Sequence, residues 1–288
     1  MQYNILQFSD IHLGSNYNNH LDTQGQWDAV LKHAKKTCPN SSGLYDAVVL
    51  TGDLVDDTNL VDKDNNCSAQ DVNYTDEAKL RMYIQILTDV KQLVRNDGLV
   101  MVTPGNHDNR ALLGKAAVKT GIKGATEDMF MVPGECIQYG KVGGYTIVTM
   151  DTGNGEPYKA IAALAYNVNR SSWDKSRVLM FTHKPFKAYN LYHRFMKDNM
   201  LDAPVGQYMI QYVDKYFCGH LHHYSSINFN GPFDLTVCPG VQCQIDPYSE
   251  KCNAVALPGY LQISLDTTEG VYHRAFMLDN WQEILIEQ

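Results

Sequence analysis

Several things are scarce or missing in this chain. No apolar run approaches the about 18 residues that a membrane-crossing helix requires, so no membrane association is expected. Positive charge is in short supply: 24 lysines and arginines stand against 32 aspartates and glutamates, a formal net charge of −8. That balance excludes a broad basic surface for gripping long nucleic acid, although it leaves a local basic groove open. Met1-Gln2-Tyr3-Asn4 lacks the basic-then-apolar layout of a signal peptide. The seven cysteines are odd in number and contain no CxxC pair, which excludes a zinc ribbon and a regular disulfide framework. Reduced thiols are expected, with Cys238–Cys243 or Cys243–Cys252 as candidate bridges only in an oxidising compartment. A soluble, cytoplasmic protein follows as the expectation. Repeats, low-complexity linkers and composition shifts are also missing, so residues 1–288 are expected to form a single domain.

What is present is an ordinary globular composition, 44% apolar and 19% charged, in an alternation of short β-rich runs with helical stretches. This is the pattern of a layered α/β fold. Strands are expected at Tyr3–Ser9, Ala47–Thr51, Leu99–Thr103, Tyr145–Asp151, Val178–Thr182 and Tyr216–Cys218. Three later runs, Phe233–Val237, Tyr260–Leu265 and Val271–Met277, have no long helix between them and predict an antiparallel section. The clearest helix covers Asp76–Val94, where Leu80, Tyr83, Ile84, Leu87, Val90 and Val94 recur at helical spacing. Asp76 and Glu77 suit its first turn, and Asn96-Asp97-Gly98 offers a stop. The polar, acidic stretch from Asp56 to Asp76 has the look of a surface loop.

Five polar clusters set this chain apart, each at the end of an expected strand. They are Asp10-Ile11-His12, Gly52-Asp53, Gly105-Asn106-His107-Asp108, His183 and Gly219-His220-Leu221-His222. In open α/β sheets, ligands bind at strand ends and the loops leaving them. Asp, His and Asn offer oxygen and imidazole nitrogen, suited to manganese, iron or zinc rather than to a thiolate site. In Asp10-x-His12 and His220-x-His222 an extended chain would turn both side chains of each pair to one cavity. The glycines before Asp53, Asn106 and His220 let the backbone turn sharply. So many potential ligands exceed one tetrahedral ion. They suit two ions sharing a carboxylate, an arrangement that clamps a phosphoryl group and generates a hydroxide nucleophile at neutral pH. Any one cluster alone would be a common turn or a capped strand end. Their joint order along the chain is what carries the reading.

In these motifs the chain resembles the calcineurin-like metallophosphoesterases, whose pattern is D-x-H, GD, GNH(E/D), H and GHxH, from Asp10 to about Arg274. The resemblance implies two packed mixed β-sheets flanked by helices. It implies that Asp10, His12, Asp53 and His222 hold one metal, and that Asp53, Asn106, His183 and His220 hold the other. It further implies that His107 contacts the substrate phosphate and protonates the leaving oxygen, with Asp108 orienting it. The implied cofactors are two divalent or trivalent ions, manganese or iron foremost, with zinc, cobalt, nickel or magnesium as alternatives.

Gly52-Asp53-Leu54-Val55-Asp56-Asp57, Gly105-Asn106-His107-Asp108-Asn109-Arg110 and the tail Pro239…Gln244…Pro247, Pro258-Gly259-Tyr260 resemble the bacterial class III cyclic-nucleotide phosphodiesterases. The chain departs from that group at His183-Lys184-Pro185, where two histidines often precede the proline, and in the order of Gln242 and Cys243. The implied activity is hydrolysis of a small nucleotide phosphodiester, foremost a 3′,5′-cyclic one, by metal-hydroxide attack at phosphorus. Alternatives on the same metal core are a DNA exonuclease, disfavoured by the charge, and a phosphomonoester or phosphoprotein phosphatase. A non-enzymatic scaffold is disfavoured because every ligand position is filled. The resemblance also allows a homo-oligomer, for which the sequence carries no interface signal. His20, His33, His193 and His273 match no ligand pattern, His223 follows the last cluster directly but would point away from its neighbour in an extended chain, and Tyr74, Tyr189, Tyr192 and Tyr248 are candidates to stack on a base.

Overall fold

A computed structural model describes residues 1–15, 22–56, 74–131, 136–151, 162, 165–166, 173–185, 212–228, 234–241, 257–279 and 282–287. Their strands are β1 (Gln2–Phe8), β2 (Tyr45–Leu50), β3 (Val94–Val102), β4 (Ile137–Val142), β5 (Tyr145–Met150), β6 (Val178–Thr182), β7 (Lys215–Cys218), β8 (Ser225–Asn228), β9 (Asp234–Val237), β10 (Gly259–Asp266), β11 (Gly270–Asp279) and β12 (Gln282–Glu287). The helices are α1 (Thr23–Lys36), α2 (Asp76–Lys91), α3 (Arg110–Lys119) and the short α4 (Glu127–Met131). One six-stranded sheet runs β12-β11-β10-β1-β2-β3 and the other β4-β5-β6-β7-β9-β8. Both are mixed, and helices flank them, as expected for this layered α/β fold.

Parallel pairing joins β1 to β2 and β2 to β3 in the first sheet, and β5 to β6, β6 to β7 and β7 to β9 in the second. The antiparallel section expected near the C-terminus is β10–β11–β12. Parallel strands share one direction, so the loops leaving β1, β2, β3, β6 and β7 all emerge at the carboxyl ends of their sheets.

Alternation along buried strands separates two cores. Ile5, Ala47, Val49 and Met101 of the first sheet meet Ile147, Leu179, Phe181 and Phe217 of the second, filling the space between the sheets. On the first sheet's other face, Leu6, Phe8, Val48, Leu50 and Val102 pack against Trp27 and Val30 of α1, Tyr83, Ile86, Leu87 and Val90 of α2, and Leu113 and Ala117 of α3. Fully burying one such side chain stabilises the fold by about 1.5–3 kcal/mol.

Helix starts are set by caps. Asp22 accepts from Gly25 N, Thr75 from Ala78 N and Asn109 from Leu112 N, each satisfying an amide that the helix leaves unpaired. The α2 helix ends sooner than its apolar spacing predicts. Gln92 caps it, and Val94 opens β3, so Asn96-Asp97-Gly98 lies inside a strand where the β2–β3 register shifts. Cys38, Cys136, Cys218 and Cys238 are free thiols, and both candidate bridges involve Cys243, which lies outside the described residues. Residues 57–73, Cys67, Cys243, Cys252, Phe233, His20, His193, Tyr189, Tyr192, Tyr248, Gln242, Gln244 and Pro247 lie outside the described residues. Among the described residues no helix is long and apolar enough to cross a membrane.

Candidate functional site

The first two clusters are held together by backbone bonds that continue the β1–β2 pairing past the strand ends. Asp10 N donates to Gly52 O at 3.0 Å, His12 N to Asp53 O at 2.9 Å and Leu13 N to Leu54 O at 2.9 Å. The backbone there is not extended. Asp10 (φ 53°), His12 (45°), Asp53 (52°), His220 (73°) and His222 (55°) all lie in the left-handed region, and they are the positive-φ non-glycine residues among those described. Alternation along an extended strand is therefore not what aims Asp10-x-His12 and His220-x-His222. Tight left-handed corners on both members do so instead. Such conformations cluster where surrounding structure over-determines them, commonly at functional sites.

The glycines serve different ends. Gly52 takes φ +88°, and a side chain there would also press on Gly105 N and His183 Nδ1. At Gly105 a Cβ would collide with the Asp53 carboxylate, and at Gly219 with Ser9 Oγ and Asp10 Oδ2. Those two permit close approach rather than a turn.

Side chains from both sheets converge in two groups that share Asp53. In the first, His12 Nε2 lies 3.3 Å from His222 Nε2 and 3.7 Å from Asp53 Oδ2, while His222 Nε2 is 3.4 Å from Asp10 Oδ1. In the second, His183 Nε2 lies 2.9 Å from Asn106 Oδ1, 3.1 Å from Asp53 Oδ2 and 3.1 Å from His220 Nδ1. Asp53 Oδ2 faces both groups, while its Oδ1 accepts from His107 N at 2.8 Å. Asp10 is steadied by His220 N, which donates to Oδ2 at 2.9 Å. Asp10, His12 and His222 bring three donor atoms close enough together to hold one cation, and Asp53, His183 and His220 do the same for another. The donor set is the oxygen-and-nitrogen kind that suits hard or borderline ions. The His183 ring is oriented from behind by the Thr51 carbonyl, 2.8 Å from Nδ1, which puts the proton on Nδ1 and leaves Nε2 free to coordinate.

Charge in the metal-free site is divided unevenly. Burial alone would raise the Asp53 pKa, yet the adjoining His183 and His107 hold it well below the usual carboxylate range. Burial likewise opposes charge on His183 and His107, but the Asp53 carboxylate overcomes it and raises both to about 9. His12 goes the other way. Burial brings it down to about 3 despite Asp53, so it is neutral near pH 7. His220 is pushed well down by burial and then by the charge on His183.

All seven expected ligands meet here, and His107 stands at the edge of the first group, its ring centroid 4.9 Å from that of His12. The expected role of Asp108 requires correction. Its carboxylate accepts from the amides of Asp53 at 2.8 Å, Leu54 at 2.9 Å and Gly105 at 2.7 Å, and from the Tyr83 hydroxyl at 3.0 Å. Those bonds fix the two loops to each other, and Asp108 makes no hydrogen bond to the His107 ring, acting on it through charge alone. The residue on His107 is Asp56, whose Oδ1 lies 2.9 Å from Nδ1. Asp56 was masked in the sequence by the acidic run it opens, although its place three residues after Asp53 was visible. His223, His33 and His273 find ordinary partners: His223 Nδ1 bonds Leu221 O, His33 the Tyr260 hydroxyl and His273 the Tyr224 hydroxyl.

Comparison with known proteins agrees with this geometry. Among curated proteins none matches the chain. Among solved structures, a dimetal phosphatase from Danio rerio is similar at TM-score 0.53 and 13% identity, over 99% of this chain and 98% of that one. A putative 5′-nucleotidase from Staphylococcus aureus is similar at TM-score 0.50 and 11% identity, over 100% of this chain but 54% of that one. At such identities these likenesses show the fold. The family model for calcineurin-like phosphoesterase matches residues 3–224, a span that includes every convergent side chain described above. The chain belongs to the calcineurin-like phosphoesterase family of dinuclear-metal-dependent hydrolases.

Proposed function

We propose that this phosphoester hydrolase is a phosphodiesterase acting on a small nucleotide, foremost a 3′,5′-cyclic one, with two manganese or iron ions. Asp10, His12, Asp53 and His222 would hold one ion, and Asp53, Asn106, His183 and His220 the other. The observation that carries the two-ion part of the reading is the Asp53 Oδ2 atom, 3.7 Å from His12 Nε2 and 3.1 Å from His183 Nε2, a carboxylate oxygen between two ligand groups. When bound, the cations supply Lewis acidity, polarising phosphoryl oxygens and making water nucleophilic near neutral pH.

The chain's own residues do the rest. Asp56 takes the Nδ1 proton of His107 in a hydrogen bond, so the exchangeable proton sits on Nε2. Between them Asp53 and Asp56 favour the charged imidazole. His107 then donates that proton to the departing ribose oxygen, which is worth most when the leaving group is basic. The Asp108 bonds keep the Asp53 and Asn106–His107 loops in mutual register, so the proton donor does not drift from the ligand groups. The net charge of −8 disfavours a long polyanion, while two cations held at Asp10 and Asp53 would make the site locally positive toward one small phosphate.

The test is a substrate panel on one manganese-loaded preparation: cyclic AMP, other cyclic nucleotides, bis-p-nitrophenyl phosphate, a 5′-nucleotide, a phosphopeptide and single-stranded DNA. The highest kcat/KM on a cyclic nucleotide is expected. Preference for the 5′-nucleotide or the phosphopeptide would make it a phosphomonoesterase, and preference for DNA a nuclease.

A further inference from the structure

The ligand groups are drawn from two sheets, so the second group exists only while the sheets keep their relative position. Asn106 sits on the loop after β3 in the first sheet, whereas His183 follows β6 in the second. Behind that junction lies an ion pair that none of the ligand roles uses. Arg110 opens α3, four residues beyond Asn106 and three beyond His107. Its guanidinium grips Asp151 with both arms, Nη1 on Oδ2 and Nη2 on Oδ1 at 2.9 Å, and Nη1 also reaches Phe130 O at 3.4 Å. Asp151 follows β5 directly. Because Met150 pairs with Thr182 in the parallel β5–β6 register, Asp151 stands beside His183. Its own amide is fixed to Cys136 O at 3.0 Å.

The pair is thus anchored at one end to the loop that carries Asn106 and His107, and at the other to the strand position flanking His183. Asp151 is fully buried and Arg110 has only 16% of its side chain exposed, so solvent screens the pair little. Two parallel N–H···O bonds fix direction as well as distance, which lysine cannot do. By contrast, the single contact of Arg95 Nη1 with Asp46 Oδ1 at 2.7 Å joins neighbouring strands of one sheet and spans no such junction.

We propose that Arg110 and Asp151 are positioning residues that set the Asn106–His183 spacing across the two sheets and so determine how tightly the second ion is held. The inference rests on the two-ion reading above, but not on the identity of the substrate. Removing one partner should weaken the second group more than the first, because Asp10, His12 and His222 have no comparable dependence on α3. Outer-shell partners of metal sites typically influence affinity by about 10–100-fold.

The experiment uses the full chain stripped of metal and titrated with Mn²⁺ alone, by calorimetry and by electron paramagnetic resonance, with no substrate present. The parent should take up two equivalents and show a spin-coupled pair. Arg110→Ala should bind the first equivalent within about twofold of the parent and the second at least about tenfold more weakly, giving an uncoupled Mn²⁺ signal. Added guanidinium should restore the coupled signal by re-forming the bidentate contact with Asp151. Asp151→Asn should behave alike without rescue, and Arg110→Lys should be intermediate. Arg95→Ala should match the parent. Equal weakening of both equivalents, or no weakening of either, would overturn the proposal, and so would failure of all three pair variants to fold by circular dichroism. Two equivalents in the parent without hydrolysis of any nucleotide would sink the substrate reading and leave this inference standing. A parent that takes up fewer than two would sink both.

Discussion

The two ligand groups share a carboxylate but are built differently. Both are buried to the same degree, with His222 and His220 each half-buried beside fully buried partners. They differ in how their rings are anchored. In the group of Asn106, His183 and His220, the His183 ring is fixed from behind by the Thr51 carbonyl. In the group of Asp10, His12 and His222, the buried His12 Nδ1 has no hydrogen-bond partner among the described residues, and the neighbouring His107 has 31% of its side chain exposed. One group thus has a donor ring oriented before any ion arrives, and the other lies beside the more open side chain.

The most severe way to break the distinction is to remove what the groups share. Asp53→Asn should cost both ions and lower kcat/KM by at least about 10³-fold, because several kcal/mol of transition-state stabilisation depend on the bound ions. Metal content per chain checks this, and loss of only one equivalent would show that Asp53 is not shared. Next comes His107→Gln, with metal content unchanged and kcat lower by about 10²–10⁴-fold on a cyclic nucleotide, but by much less on bis-p-nitrophenyl phosphate, whose leaving group needs no proton. Asp56→Asn should reproduce that pattern at on the order of tenfold, while a parent-like rate would remove Asp56 from the proton-donor role.

A pH titration sharpens the comparison further. In the metal-free protein His183 and His107 have pKa values raised from 6.5 to about 9 by Asp53. The stability these charged rings contribute is therefore fully present below pH 6.5 and is lost as pH rises through about 9. Mn²⁺ must displace the His183 proton, so its affinity should rise across the same window with protons released. Calorimetry in buffers of different ionisation enthalpy measures that release. Zero protons taken off at pH 7 would contradict the charge assigned to His183. The smallest effect is expected at Tyr83→Phe, which removes the hydroxyl between Asp108 and the Asn109 amide. About 1–3 kcal/mol of stability should be lost in denaturant melts, with kcat changed less than about threefold.

Legibility in the sequence followed the physics of each element. Strands buried on both faces, such as β2 and β6, stand out as short apolar runs, and so do the clusters at their ends. Edge strands β4, β8 and β12 lack that run. The α1 helix has its spacing in Trp27, Val30 and Ala34, and its cap in Asp22, but a polar sequence on either side hid it. Val94 continued the α2 periodicity by type while belonging to β3, because apolar spacing says nothing about where a cap will intervene. At the site, ligand types and order were legible; partners were not. Asp108 and Asp56 are both carboxylates close in chain to ligands, and only the fold decides that one receives backbone amides and the other an imidazole. The left-handed corners were equally hidden, since D-x-H is compatible with extended chain too.

Those corners carry a consequence for anyone engineering this protein. A left-handed residue with a side chain costs about 1–2 kcal/mol relative to glycine, somewhat less for aspartate. Five of them fall on proposed ligands. Directed evolution for heat tolerance, scored on folding alone, would thus find glycine attractive at Asp10, His12 or His222, and each gain would delete a proposed metal ligand. Melting temperature is a misleading objective for this chain unless ion uptake is selected alongside it.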